Sequence, residues 1–198
     1  MRLLAIDTAT PRPSLAVLSG ASEPWTAELP MQGAEALAPA VADLLARAGL
    51  VPRDLERIAV VSGPGSFTGL RSSLAFARGL ARATGALLVP VPTFEAASRA
   101  LPLPPDADFL LDALRGEVHR RRRRSGRFPA AEERLDRDVA AAEAAGDGVV
   151  VVDLGIVRPL LSPAAADHAL SAPPGGPEGL LYGRPPAAVE RFGPGDPS

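Results

Sequence analysis

Gly63-Pro64-Gly65-Ser66-Phe67-Thr68-Gly69-Leu70-Arg71 is the most informative stretch of this 198-residue chain. It follows a short apolar run, Ile58 to Val61, and opens a segment of helical periodicity, Phe67 to Ala83, that stops near Gly85. It therefore reads as a strand-to-helix turn. Glycine admits backbone conformations closed to other residues, and Ser66 or Thr68 can cap a helix through its hydroxyl. Exposed amides at such a helix start suit a phosphate or a carboxylate. The stretch is no Walker motif, because the spacing fails and the chain has no Lys. It is no dinucleotide fingerprint either, since the third glycine comes one residue late. On chemistry alone, a tight structural turn is the simpler reading.

On the N-terminal side, Leu3 to Ile6 is an apolar run ended by Asp7 and reads as a buried strand. Ser14 to Leu18 and Trp25 to Leu29 are short strands separated by Gly and Ser turns, which suggests an antiparallel meander. Ala34 to Ala48 reads as a helix with Pro39 in an early or kinked position and Gly49 as its C-terminal cap. On the C-terminal side, Ala86 to Val91 is a strand and Thr93 opens a short helix. The Pro-rich Leu101 to Asp106 marks a boundary. Beyond it come strands at Asp108 to Ala113, Glu117 to Arg124 and Val149 to Asp153, with a helix at Ala140 to Ala145. This order predicts an α/β protein with an RNase H-like lobe over 1–100 and a reduced copy over 106–198, ending in an irregular tail from Ala172.

Composition narrows the chemistry. Apolar residues at 46% and charged residues at 22% are the balance of a globular chain. A net charge of −2 demands neither nucleic acid nor membrane. No apolar run approaches the ~20 residues of a membrane span, and Asp7 interrupts the one N-terminal stretch that could serve as a secretory signal, so a cytoplasmic location is expected. With no Cys and no Lys, thiolate chemistry, Cys-bound zinc and Schiff bases are excluded. His119 and His168 are the only histidines, far apart and without a His-x-x-x-His pair, so no metal site is expected.

Four segments together resemble a known family. Leu4-Ala5-Ile6-Asp7-Thr8-Ala9-Thr10, Ala34-Glu35-Ala36-Leu37-Ala38-Pro39, Gly63 to Arg71 and Asp112-Ala113-Leu114-Arg115-Gly116-Glu117-Val118 are similar, in order and spacing, to the TsaB (YeaZ-like) family. The likeness covers about the first 120 residues. It implies an actin-like, two-lobed fold. It also implies a non-catalytic role in making N6-threonylcarbamoyladenosine in tRNA, beside the transferase TsaD and the ATPase TsaE. Gly33 stands where the family usually has a His, and the second lobe is shorter than usual.

Actin-like ATPases hold phosphates with two Asp-x-Gly-Ser/Thr loops, whose glycine lets backbone amides approach the ligand. Here Asp7-Thr8-Ala9-Thr10 has Ala9 in that place, and Asp112-Ala113-Leu114-Arg115 has Leu114. Both carboxylates survive and both cradles are damaged. The two Asp residues are expected to cap turns, catalytic residues are expected to be absent, and any ATP or ADP is expected to bind weakly, at a partner junction.

The helix at Ala34 to Ala48 is apolar around most of its circumference, which suggests that it meets a second chain as well as its own core. Leu37, Val41, Leu45, Leu70 and Phe76 are the candidate interface residues. They would be used by a homodimer when TsaD is absent; the family resemblance implies the same pairing. The run Arg120 to Arg124 could meet tRNA phosphates, or could be a solvated edge strand that blocks aggregation. Three classes follow: an assembly subunit, an active ATPase or small-molecule kinase of the same fold, and a tRNA-binding module.

Overall fold

The computed structural model describes residues 1–20, 23–30, 36–157 and 159–171. The chain opens with strands β1 (Arg2–Asp7), β2 (Ser14–Ser19) and β3 (Trp25–Glu28). Helix α1 (Leu37–Arg47), strand β4 (Arg57–Val61), helix α2 (Phe67–Thr84), strand β5 (Leu87–Val91) and helix α3 (Thr93–Ala100) follow. They form a sheet of order β3-β2-β1-β4-β5, antiparallel among the first three strands and parallel from β1 through β4 to β5. A second sheet, of order β8-β7-β6-β9, repeats most of this plan. It comprises β6 (Ala107–Asp112), β7 (Glu117–Arg123), β8 (Glu133–Asp136) and β9 (Val150–Asp153), with helix α4 (Arg137–Asp147) before the last strand. A one-turn helix α5 (Leu154–Val157) and helix α6 (Leu161–Ser171) complete the described residues. The fold is α/β and actin-like, and its second lobe is the reduced one.

Both faces of the first sheet are covered, which is why β1 reads as an unbroken apolar run. Leu4 and Ile6 point into a cluster with Leu37, Val41, Leu44 and Leu45 of α1 and Leu74 and Ala77 of α2. Leu3 and Ala5 point the other way, into a cluster completed by Phe94 of α3, Phe109 of β6 and Leu161, Ala165 and Ala169 of α6. The two lobes therefore share one apolar core. The rings of Phe94 and Phe109 lie 6.3 Å apart, and Phe128 meets Phe109 edge-on at 5.6 Å.

The local signals behave as their chemistry requires. Pro39 falls in the first turn of α1, where no intrahelical N–H bond is lost. Gly49 follows that helix with φ 70°, and the Leu50 amide donates to the Leu45 carbonyl at 2.9 Å. Two elements carried no readable signal. β8 is Glu-Arg-Leu-Asp and becomes a strand through pairing with β7. α6 has small alanines as most of its buried side chains, and although it belongs to the second half of the chain it packs on the first sheet. The residues around Gly33, with Ala34 and Glu35, and the tail from Ala172 lie outside the described residues.

The arginine run is taken up by intrachain pairs. Arg120 is 1% exposed, and its guanidinium donates to Glu133 at 2.9 Å and Glu143 at 2.8 Å. Arg122 shares Glu143 at 2.5 Å, and Arg124 reaches the buried Asp108 at 2.7 Å. Arg121 stacks 4.5 Å above Phe128 and comes within 3.5 Å of Glu95 on α3, while Arg123 donates to the Pro104 carbonyl at 3.2 Å. The cause is the thinness of α4, which offers only Ala140 and Ala144 as buried apolar contacts. Ion pairs fill the layer that larger side chains would otherwise occupy.

Removing both acids from Arg120 leaves a desolvated cation without a partner, whereas removing the cation leaves two half-exposed acids that water can serve. Glu133→Gln combined with Glu143→Gln is therefore expected to lower the melting temperature by several degrees. Arg120→Met is expected to change it little. Thermal unfolding of the two variants at one pH checks the order, and a larger loss for Arg120→Met contradicts it.

Candidate functional site: the cleft between the lobes

Asp7 ends β1 with its carboxylate fully buried. Its Oδ1 accepts the amides of Ala9 at 2.8 Å and Thr10 at 3.3 Å, and its Oδ2 accepts the Thr10 hydroxyl at 2.5 Å. The carboxylate closes its own turn and is turned away from solvent. Burial pushes its pKa up to about 6, against those three hydrogen bonds, which pull it down.

The start of α2 grips the same turn. The Ser66 amide donates to the Ala9 carbonyl at 2.7 Å, and the Thr8 hydroxyl donates to the Gly69 carbonyl at 2.7 Å. Thr93 ties the stretch to α3: its amide donates to the Gly63 carbonyl at 2.9 Å and its hydroxyl to the Pro64 carbonyl at 2.6 Å. Gly63 itself has φ 108°, a backbone suited to glycine. The Ser66 hydroxyl caps α2 by accepting the Gly69 amide at 3.2 Å. A Cβ on Gly69 would lie 1.8 Å from the Thr8 carbonyl oxygen, and one on Gly65 would lie 2.4 Å from that of Ala9. Both glycines serve contact between backbones, and the Ala9 and Thr10 amides that a phosphate cradle would use are bonded to Asp7 instead.

The second loop is built differently. Ala113 N–H donates to the Glu117 carbonyl at 2.9 Å, and Glu117 N–H donates to the Leu114 carbonyl at 3.1 Å. Between them Leu114, Arg115 and Gly116 take φ of 67°, 57° and 82°. Two side-chain-bearing residues are thus held left-handed, at a cost of roughly 1–2 kcal/mol each. Asp112 is half exposed and lies 3.4 Å from Arg137, which also pairs with Asp153. The expectation of two turn-capping carboxylates is corrected here: Asp7 caps, and Asp112 does not, because backbone bonds already close its turn.

The two loops face each other across a cleft of about 630 Å³. Thr8, Thr10, Ser66 and Thr68 line one wall, with Asp112 and Leu114 on the other. Two further lining residues, His119 and Arg134, were not singled out as site residues from the sequence. The pairing of β7 with β8 sets them opposite each other, and no local pattern announces that. The His119 Nδ1 stands 2.7 Å from Glu132, off the line of a good hydrogen bond, and Arg134 pairs with Glu117. Arg71 stacks 5.3 Å from the ring of Phe67, and Arg115 is exposed on its turn. Among the described residues no group of three His, Asp or Glu side chains is placed to hold a metal, and no helix is long and apolar enough to cross a membrane.

The candidate interface residues are not together on a surface. Leu37, Val41, Leu45 and Leu70 are at most 3% exposed, inside the chain's own core, and Phe76 is half-buried against it. The apolar circumference of α1 misled because Ala38, Ala42 and Ala46 are too small to force burial, and they are exposed.

A family model described as TsaD, tRNA N6-adenosine threonylcarbamoyltransferase, matches residues 31–154. The tRNA threonylcarbamoyladenosine biosynthesis protein TsaB of Escherichia coli is 40% identical over 82 residues, or 41% of this chain and 36% of that protein. Its counterpart in Haemophilus influenzae is 32% identical over 101 residues, covering 50% and 43%. The chain thus aligns with less than half the length of the curated relatives it matches. Among solved structures, YeaZ from Pseudomonas aeruginosa superposes with a TM-score of 0.60 at 30% identity, over 68% of this chain and 66% of that one.

Two outcomes are expected. Gly69→Ala should destabilise the protein by several kcal/mol, since its methyl group meets backbone that cannot step aside. Gly79→Ala, in the same helix with nothing within 4 Å, should be neutral or stabilising by about 0.5–1 kcal/mol. Equal melting temperatures for the two variants would refute the close-approach account. For Asp7, the folded pKa of about 6 lies above the unfolded 3.8, so ionisation is penalised in the fold. Its contribution is most favourable below pH 4 and is lost between pH 4 and 6, by about 3 kcal/mol. Asp7→Asn keeps the Oδ1 acceptor for the Ala9 and Thr10 amides, presents an amide donor to the Thr10 hydroxyl in place of Oδ2, and removes the charge. The stability of wild type relative to this variant should therefore fall as pH rises from 4 to 6.5, a trend that urea titrations across that range can read.

Proposed function

The chain belongs to the TsaB/YeaZ family, and we propose that it acts in the synthesis of N6-threonylcarbamoyladenosine in tRNA as a non-catalytic subunit. In this reading it binds and organises the transferase TsaD in the cytoplasm, with the ATPase TsaE as a third component. One observation carries the non-catalytic part: the turn after β1 is occupied by the start of α2, with Asp7 buried and bonded inward. To reach the Ala9 and Thr10 amides, a nucleotide phosphate would have to displace the Asp7 carboxylate that closes the turn. Nucleotide binding by the isolated chain is accordingly weak, and any stronger site needs a partner's residues.

The docking surface differs from the one the sequence suggested. The outer side of α1 presents Ala38, Ala42 and Ala46, and that of α2 presents Ala75 and Gly79, with Phe76 half-buried beside them. Small side chains let helices approach closely. In the proposal this surface receives TsaD, or a second copy of the chain when TsaD is absent. The run Arg120 to Arg124, engaged in intrachain pairs, has no part in it. The rival reading, an active ATPase or kinase, has the surviving Asp7 and Asp112 in its favour.

Glu at both Ala42 and Ala46 should leave the melting temperature within a few degrees of wild type, because both positions are exposed. It should weaken co-purification with TsaD by tenfold or more, through unpaired charge in the contact. Calorimetry of the isolated wild-type chain with Mg-ATP should show no binding at micromolar level. Undiminished TsaD binding by the double variant removes the proposed surface, and micromolar ATP binding favours the enzyme.

A further inference from the structure

We infer that the cleft between the lobes is a binding site for a small, uncharged, partly apolar molecule, gripped between Phe67 and Leu114 with His119 as its polar anchor. This goes beyond the assembly role and does not depend on it. The first ground is conformational. The turn that carries Leu114 holds Leu114 and Arg115 left-handed, where Asn or Gly would sit without strain. The strain does not serve packing, because the Leu114 side chain ends 71% exposed, on the lining of the cleft. Strained residues at a cleft are a mark of ligand clamps. On the facing wall Phe67 is 40% exposed in the first turn of α2. Two large apolar side chains from different lobes therefore line one cavity, Phe67 with the Arg71 guanidinium over its ring, and the volume of about 630 Å³ is that of a small-molecule site.

The second ground is charge. The arginines on the second-lobe wall are already matched: Arg134 by Glu117, and Arg137 behind Asp112 by both Asp112 and Asp153. The lining of the first-lobe wall carries no charged residue. Among the lining residues a polyphosphate or polycarboxylate finds no unopposed cation and must displace carboxylates to gain one, while Arg71, over the Phe67 ring, and Arg115 lie outside the lining. An uncharged ligand meets no such cost. His119 is 9% exposed. Its Nδ1 faces Glu132, which leaves Nε2 as the second hydrogen-bonding atom of the ring for a ligand group.

The test uses the full chain and three probes: indole, its charged analogue indole-3-acetate, and Mg-ATP. Indole is expected to shift the NMR signals of Phe67, Leu114 and His119 and to bind more tightly than either charged probe. Leu114→Asn relieves the left-handed strain and should keep or raise the melting temperature while weakening indole about tenfold, the loss expected for one apolar contact. Phe67→Ala, at an exposed position, should weaken indole likewise, and serves as the readout if the Asn variant is poorly folded. The inference is overturned if indole leaves those signals unmoved at millimolar concentration, if either charged probe binds as well as indole, or if both variants bind indole like wild type.

Discussion

The close approach of α2 to the turn after β1 is the constraint on which the remaining structure depends. Gly69 lies so near the Thr8 carbonyl that no side chain fits between them. The bonds from Ser66 to Ala9 and from Thr8 to Gly69 then lock helix to turn. Thr93 carries the same lock to α3 through Gly63 and Pro64. The position of α3 in turn sets Phe94 against Phe109 of the second lobe. One backbone contact is thus linked through a continuous chain of hydrogen bonds and ring packing to the place where the lobes meet.

The same contact governs what the cleft can do. In an open phosphate loop the backbone amides after the first strand face a ligand. In this chain the Ala9 and Thr10 amides face the Asp7 carboxylate, and the Ala9 carbonyl faces the Ser66 amide. Groups that could have served a nucleotide are consumed by the fold. The two lobes also share one apolar core, in which Phe94, Phe109 and Phe128 and the return of α6 to the first sheet join the halves.

The second lobe is held by a different balance of forces. Its helix α4 is alanine-rich, and the sheet beneath presents Arg120, Arg122 and Arg124 to it. Glu133, Glu143, Asp108 and Asp147 answer those charges. Desolvation offsets much of the attraction in such a layer, so it specifies geometry more than it adds stability. Of the arginine run, Arg120 is buried, and Arg121 to Arg124, partly exposed, are tied into contacts within the chain.

Much of the fold was legible along the chain. β1 showed itself by an apolar run ended at Asp7, α1 and α2 by their period and by Gly49 and Gly85, and the Gly63 to Arg71 turn by its glycines and Ser66. The damage to both phosphate loops could also be read, from Ala9 and Leu114. These are local properties: a strand, a cap or a missing glycine is written within a few consecutive residues. What tertiary structure alone decided was which side chains meet across distance. Leu37, Val41, Leu45 and Leu70 proved to be core because α1 and α2 lie on the sheet, a fact no single helix reveals. β8 exists because β7 offers an edge, and α6 because a bare sheet face needs cover. His119 and Arg134 reach the cleft through the register of two strands. Sequence determined the elements and the chemistry they lost, since those depend on near neighbours. Burial, pairing and the lining of the cleft depend on partners far along the chain, and only the folded arrangement chooses them.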